Sequence, residues 1–342
     1  MSHHPTLYLL NVEQLPHNRA EIRQATTISV NQALGTCTSI FPCPSDAEVL
    51  TRVIDARGMI PIEIESATYV HQDRAMVNER PEEHDYFFNI VRVSGNPLRV
   101  LAHSILQAYG ELLEDTLAEG TSLNSSEWSR LRAAFDTMLH YISQEPAQPL
   151  VNTSRYLPTA SSHSRGEPDP LRRWRIGHHV FLTLIQNLVV AFGCFGSAIT
   201  SNDLPEAVVA LELATILMWG SASALRFAGD FQPQQYEAVV RPVMMPPNLE
   251  PGFSGLQSRD HYYLIKSLSR LKPVFMKLDP YLRSQHHQFL QAFDAAYEAH
   301  KLVCARFKGN ELPSLRMNLD AKQSAVDVLD QLKHVRLRNL QP

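Results

Sequence analysis

The sequence predicts a mainly helical fold with a minor β element near its N-terminus. Three observations carry that prediction. From Asn96 onward apolar residues recur at three- and four-residue steps, beginning with Leu98, Leu101, Ile105, Tyr109 and Leu112, the spacing that places a stripe on one face of a helix. Before that point the segments 59–69 and 86–93 alternate or cluster their apolar residues as short strands do. With 342 residues, 44% of them hydrophobic, the chain can bury a large core. It is read as one domain, with a mixed region over 1–95, a long loop over 145–170 and a helical core over 171–309.

The elements follow in order. The helix that starts after Asn96 is succeeded by one over 128–142. Residues 145–170 are rich in Pro and Ser and too long for an ordinary connection, so they form either a lid over a site or a disordered insert. A helix then runs from 171 to about 199. Asp203 opens the next one, with Pro205 in the first turn and Glu206 three residues on as a capping box. Between 241 and 255 stand Pro242, Pro246, Pro247 and Pro251, which predict a rigid non-helical crossing. Ser258 caps a helix that Pro273 ends. Asp279 and Pro280 open the longest late helix, closed by Gly309.

Composition excludes several classes. The net charge is -4, from 31 Lys and Arg against 35 Asp and Glu, with no block of like charges. Neither nucleic acid nor a membrane is therefore expected as a partner; a small, nearly neutral substrate fits better. The N-terminus has no basic segment followed by an apolar run and a small-residue cleavage site, so a cytoplasmic protein is expected. The most apolar run, 180–199, is interrupted by Gln186, Asn187 and small residues around Cys194, as suits a buried core helix rather than a membrane span. Cysteines at 37, 43, 194 and 304 are too few for a disulfide scaffold at this length. No Gly-x-Gly-x-x-Gly, Walker loop or Gly-x-Ser-x-Gly elbow is present, which leaves nucleotide-dependent and serine-hydrolase readings without support.

The residues that could carry chemistry lie late in the chain. Leu282, His286, Phe289, Phe293, Tyr297, His300, Cys304 and Phe307 recur at helical spacing, so His300 and Cys304 face the core one turn apart. On the helix capped by Ser258, the stripe is His261, Leu264, Ile265, Leu268 and Leu271. Two core-facing histidines on different helices suit a haem held between helices, because imidazole is a good axial ligand and the macrocycle wants an apolar slot. A cysteine one turn from the ligand could add a single thioether. The pair alone is weak evidence: with 15 His and 4 Cys in the chain, roughly 0.2 His-x-x-x-Cys pairs arise by chance. A hydrogen-bonded core histidine beside a small buried cysteine remains open, as does a zinc site on His261, His300 and Cys304, although that lacks a fourth ligand at short spacing. The Cys-x-x-Cys-His signal of c-type haem attachment is absent.

The segment 239–308 resembles the histidine-ligated haem aromatic hydroxylases related to tryptophan dioxygenase, closest to the 3-methyl-L-tyrosine hydroxylases of saframycin- and safracin-type biosynthesis. Their pattern is His, a spacer, then His-x-x-x-Cys. Here it reads His261, a spacer of 38 residues, and His300-Lys301-Leu302-Val303-Cys304. The resemblance implies a tryptophan dioxygenase-like helical haem-binding fold, His261 and His300 as the axial ligands of the iron, and Cys304 as the thioether attachment of a covalent haem. It also implies hydrogen peroxide as cosubstrate. The expected reaction is hydroxylation of L-tyrosine or 3-methyl-L-tyrosine ortho to the phenol, giving a catechol amino acid for antibiotic biosynthesis. Residues 1–95 add nothing to this match. Iron held by two imidazoles has no open position for peroxide, so one ligand must leave. His261, in the first turn of a short helix after a Pro-rich crossing, is the expected one, and once released it is the candidate base for the peroxide proton. If both stay bound, the iron only transfers electrons.

Other residues are candidates for binding. Arg172, Arg173 and Arg175 with Trp174 form either an arginine fork for a propionate or a substrate carboxylate, or a solvated helix start. Arg226 and Arg241 are charges within apolar surroundings, which suggests buried anion partners. Arg241, nearer the histidine motif, and His178 are the candidate substrate contacts. Of His178 and His179 one must point inward, and Tyr262, Tyr263 and Tyr297 flank the proposed ligands. Besides the tyrosine hydroxylase, a haem enzyme acting on an indole or other tryptophan-derived substrate and a non-catalytic haem-binding protein remain open. So does the oligomeric state, a homodimer included.

Overall fold

Two long apolar helices make the spine on which everything else packs. In the computed structural model, which describes residues 5–38, 45–62, 81–143, 168–253, 257–308 and 324–341, the chain begins with a strand, β1 (Leu7–Leu10), and the helices α1 (Arg19–Gln24), α2 (Ile28–Thr38), α3 (Asp46–Gly58) and α4 (Pro81–Phe87). Strand β2 (Ile90–Val93) then precedes α5 (Pro97–Glu119) and α6 (Ser125–Ser143). The spine is α7 (Pro170–Thr200) and α8 (Leu204–Ala228), followed by α9 (Arg259–Arg270), α10 (Lys272–Met276), α11 (Arg283–Lys308) and α12 (Ala325–Leu337).

The caps explain the helix starts. The Asp169 carboxylate accepts from the N–H groups of Leu171 and Arg172, with Pro170 in the first turn where no donor is needed. Asp203 does the same for Glu206 beside Pro205. Between these helices Asn202 takes a left-handed conformation, φ 56°, which Asn tolerates better than most residues. Both spine helices are long and apolar enough to cross a membrane. Yet 78% of the most apolar stretch of α7 and 67% of that of α8 are buried inside the protein, so they are core helices. Polar residues agree with this, since Arg173 and His179 on α7 are fully buried, which is tolerable only because they are paired.

The β element differs from the expectation. Residues 59–62 form no strand, and 63–69 lie outside the described residues. Residues 86 and 87 end α4, so only 90–93 of the second segment is extended. Its partner is Leu7–Leu10, in parallel register from Leu7 opposite Ile90 to Leu10 opposite Val93. A parallel pair needs a long crossover, and here the crossover carries α1 through α4. The local pattern of a four-residue apolar run could not announce a partner about 80 residues away.

Three boundaries are corrected. The non-helical crossing expected over 241–255 starts later: Pro233–Gln235, a π turn over Tyr236–Val240 and Arg241–Val243 form a continuous helical stretch. Pro242 falls in the first turn of its last piece, where its missing N–H costs little. Pro273 does not merely end a helix but sits in the first turn of α10. After Asp279, Pro280–Leu282 is a 3-10 turn that leads into α11; Gly309 and most of the 145–170 loop lie outside the described residues.

Two buried arginines tie the layers together. Arg92 of β2 donates to both oxygens of Asp85 (2.7 and 2.9 Å) and both oxygens of Asp260 (2.9 and 2.6 Å). Arg173 of α7 pairs with Asp115 of α5 and with Asp230 beyond α8, the latter at 3.2 Å.

Candidate active site

Helices α7, α8, α9, α11 and α12 line a cavity that is partly open to solvent. Most of its wall is apolar, from Phe181 and Ile185 on α7, Met218 on α8, Leu264 on α9 and Phe293 on α11. The polar groups that reach it include His261, His300, Tyr297 and Arg336. His261 and His300, 38 residues of spacer apart in sequence, are thus brought to one cavity by α9 and α11.

His261 is placed by its neighbours. Ser258 caps α9 by accepting from the His261 N–H at 3.4 Å, and the next residue down, Asp260, is fully buried against Arg92. Gln186 of α7 donates to the same Asp260 carboxylate at 2.8 Å. The first turn of α9 is therefore bolted to the strand and to the spine, and His261 projects from that turn into the cavity. Its Nε2 lies 3.4 Å from Nη1 of Arg336.

His300 differs. Its ring makes no hydrogen bond among the described residues, and burial, with Arg336 adding to it, pushes its pKa down to about 4. At neutral pH it is an uncharged imidazole with a free lone pair, the form that ligates a metal. Tyr297, one turn earlier, accepts a hydrogen bond at its hydroxyl from Arg336. Burial raises the pKa of that phenol. Cys304, one turn beyond His300, is half-buried and stands outside the cavity lining. Burial lifts its thiol to about 11, so it is no thiolate at pH 7.

His178 belongs to a neighbouring aromatic cluster. Its ring stacks on Phe88 at 4.0 Å between centroids, its Nδ1 donates to the Trp174 carbonyl at 2.7 Å, and burial pushes its pKa down to about 3. It does not line the cavity. His179 is a core residue whose ring nitrogens face the Glu111 carboxylate (2.7 Å) and the Phe88 carbonyl (2.6 Å). Arg241 is not brought to the cavity either; its guanidinium pairs with Glu237 at 2.6 Å and is 36% exposed. The anion expected beside Arg226 is Glu127, at 2.9 Å. In the arginine group after the loop, Arg173 is a structural clamp, and Arg175 donates to the Phe87 carbonyl at 3.1 Å. Tyr262 and Tyr263 are half-buried on α9 and outside the lining.

The periodicity missed Arg336. It lies on α12, a helix whose approach to α11 is set by tertiary ion pairs rather than by any local motif. The donor set fits a haem. Two imidazoles from different helices line one apolar cavity, and one of them has no internal partner among the described residues. Among those residues no group of three or more His, Cys, Asp or Glu stands together as a metal site, so the zinc alternative loses its geometric basis.

The scaffold is helical, and two of its histidines face one apolar cavity, a donor set suited to a redox cofactor. The model of the SfmD 3-methyl-L-tyrosine peroxygenase family matches residues 8–286, and the chain belongs to that family; it is a peroxygenase-type oxidoreductase. It is 31% identical over 337 residues to the 3-methyl-L-tyrosine peroxygenase of Streptomyces lavendulae, covering 96% of this chain and 88% of that one. A crystal structure of reduced SfmD, soaked with sodium hydrosulfite, superposes with a TM-score of 0.70 at 28% identity. That match covers 86% of this chain and 95% of the other. The likeness is thus not confined to residues 239–308, and the N-terminal region contributes to it from residue 8.

Proposed function

We propose that the protein is a haem-dependent hydroxylase of 3-methyl-L-tyrosine, the whole chain serving as one haem-binding domain. It takes oxygen from hydrogen peroxide, so that the ring C–H ortho to the phenol becomes C–OH and the second peroxide oxygen leaves as water. The observation that carries this reading is the convergence of His261 and His300 on one apolar cavity, in a chain of the 3-methyl-L-tyrosine peroxygenase family. Haem, when bound there, supplies the iron chemistry of oxygen transfer. His300 is the standing ligand. It sits within the long helix α11 and has no competing hydrogen bond among the described residues. His261 is the exchangeable one, because Arg336 offers its Nε2 another partner at 3.4 Å. When not holding the iron, its Nε2 would be the group placed to accept a proton from peroxide. Cys304 is the thioether anchor, held one turn from His300.

Turnover of 3-methyl-L-tyrosine, L-tyrosine and L-tryptophan with peroxide, read by mass, tests the reading. A gain of one oxygen on 3-methyl-L-tyrosine is expected. Oxygen added only to tryptophan supports the indole alternative, and oxygen added to none supports a non-catalytic haem protein. Extraction with acid acetone tests the thioether: the colour stays with the chain in the native protein and leaves it in Cys304→Ser.

A further inference from the structure

We propose that Arg336 is the carboxylate anchor of this site, its guanidinium gripping a carboxylate of the molecule that fills the cavity. This rests on the reading of the cavity as the haem and amino-acid site, and it names the group that orients the occupant.

Helix α12 is laid across α11 by ion pairs. Lys301 meets Asp330 at 2.8 Å and Glu298 at 2.7 Å, while Lys333 meets Glu298 at 2.9 Å and also pairs with Asp294. His286 of α11 fixes the far end by donating to the Leu340 carbonyl at 2.7 Å. These contacts consume the carboxylates at this interface. Arg336, one turn beyond Lys333 on the same helix, takes none of them. Among the described residues its hydrogen bonds go to no carboxylate but to the Tyr297 hydroxyl and His261 Nε2, and it lines the cavity half-buried.

The buried arginines among the described residues are each paired with a carboxylate, Arg19 with Glu206 and Arg132 with Asp46 among them. Arg92 is shared by Asp85 and Asp260, and Arg173 by Asp115 and Asp230, as expected where an unpaired buried charge is costly. Arg336 has five N–H donors in a planar fork and spends one nitrogen on Tyr297 and His261. Its Nε and Nη2 make no hydrogen bond among the described residues, and the side chain lines the cavity. A guanidinium fork is shaped for two parallel bonds to a carboxylate. Both molecules proposed for the cavity carry one, the amino acid on its α-carbon and haem on its propionates.

The test compares the native chain with Arg336→Ala, Arg336→Gln and Arg336→Lys, the last two serving if alanine disturbs folding. Titrations use 3-methyl-L-tyrosine against 3-methyltyramine, which has the same ring and no carboxylate, and haem against haem dimethyl ester on chain purified without haem. A substrate anchor shows as at least a tenfold rise in Kd for the amino acid in Arg336→Ala and →Gln, with the amine unchanged. A propionate anchor shows as the same loss for haem and none for its ester. In either case Lys recovers part of the loss. If no ligand weakens, or if acid and carboxylate-free forms weaken equally, the proposal is overturned. A native chain that takes up no haem overturns the functional reading instead, and the amino-acid titration still decides the role of Arg336.

Discussion

The two histidines look equivalent as ligand types, but their surroundings make them unequal. His300 is a neutral ring with nothing else to bind among the described residues, whereas His261 has Arg336 3.4 Å from its Nε2 and sits in the first turn of a twelve-residue helix. Removing each is therefore expected to give different phenotypes. His300→Ala is expected to lose the haem absorption band, or to hold it with at least tenfold weaker affinity. His261→Ala is expected to keep the haem with an altered spectrum and to lose about 10²- to 10⁴-fold in hydroxylation, the range for a lost general base. Identical behaviour of the two variants would sink the assignment of one standing and one exchangeable ligand. At this scale the sequence was informative where chemistry is local. The His-x-x-x-Cys step and the Ser258 cap are short-range facts, legible from spacing. Arg336 was not legible, because nothing near it in the chain reveals that α12 lies over a cavity. Arg241 was misleading for the converse reason: an arginine among apolar residues met its anion, Glu237, four residues away on the same helical stretch.

Among the elements, the attachment of α9 to β2 does most to hold the site. Arg92 is buried between two carboxylates, and removing one partner of such a set strands charge in the interior. Arg92→Leu is expected to cost about 3–5 kcal/mol, read as a lowered urea midpoint, and to broaden or shift the haem spectrum because His261 follows Asp260 directly. Loss of stability with an unchanged spectrum would show that α9 is positioned by other contacts. The crossing of α7 and α8 offers a second test. A Cβ on Gly177 would meet the Cα and Cβ of Ala228 at 2.4 Å, whereas one on Gly35 of α2 would meet nothing within 4 Å. Alanine gains about 1 kcal/mol over glycine in a helix, so Gly35→Ala is expected to raise Tm. Gly177→Ala is expected to lower it, since overpacking of about 1–3 kcal/mol outweighs that gain. A rise in both would mean that the helices can part at no cost. The long helices were readable because a 3.6-residue period repeats many times in each. The sheet was not, because two four-residue strands from distant parts of the chain have too few repeats to fix a period, and the first of them is held by α5, which the local pattern does not announce.

For the whole molecule, a net charge of -4 conceals how unevenly charge is buried, and acid exposes it. Burial alone would raise the pKa of Asp85, but Arg92 beside it outweighs burial and holds the carboxyl well below the usual carboxylate range. A carboxyl with a depressed folded pKa contributes stability that is fully present above its unfolded pKa, near pH 4, and is lost as pH falls toward the folded value. Buried histidines act in the same direction from a higher starting point. Burial lowers the pKa of His103 and of His286, so their contribution declines as pH drops below about 6.5. Glu206 opposes them, because burial raises its pKa and its folded form takes up a proton more readily than the unfolded chain. The carboxylate pairs are expected to dominate below pH 4, where the unfolded chain takes up a proton at Asp85 while the folded carboxyl stays ionised beside Arg92. Asp85→Asn isolates that contribution. At pH 7 it is expected to cost about 2–3 kcal/mol, as for lost hydrogen bonds to a charged group. Toward pH 2 the gap to the native chain is expected to narrow, because the unfolded carboxyl takes up a proton there that the native one, held by Arg92, still refuses. Urea unfolding at a series of pH values from 7 to 2 measures the gap directly. A difference that stays constant across the series would mean that Asp85 is not held ionised by Arg92, and that acid lability of the fold originates elsewhere.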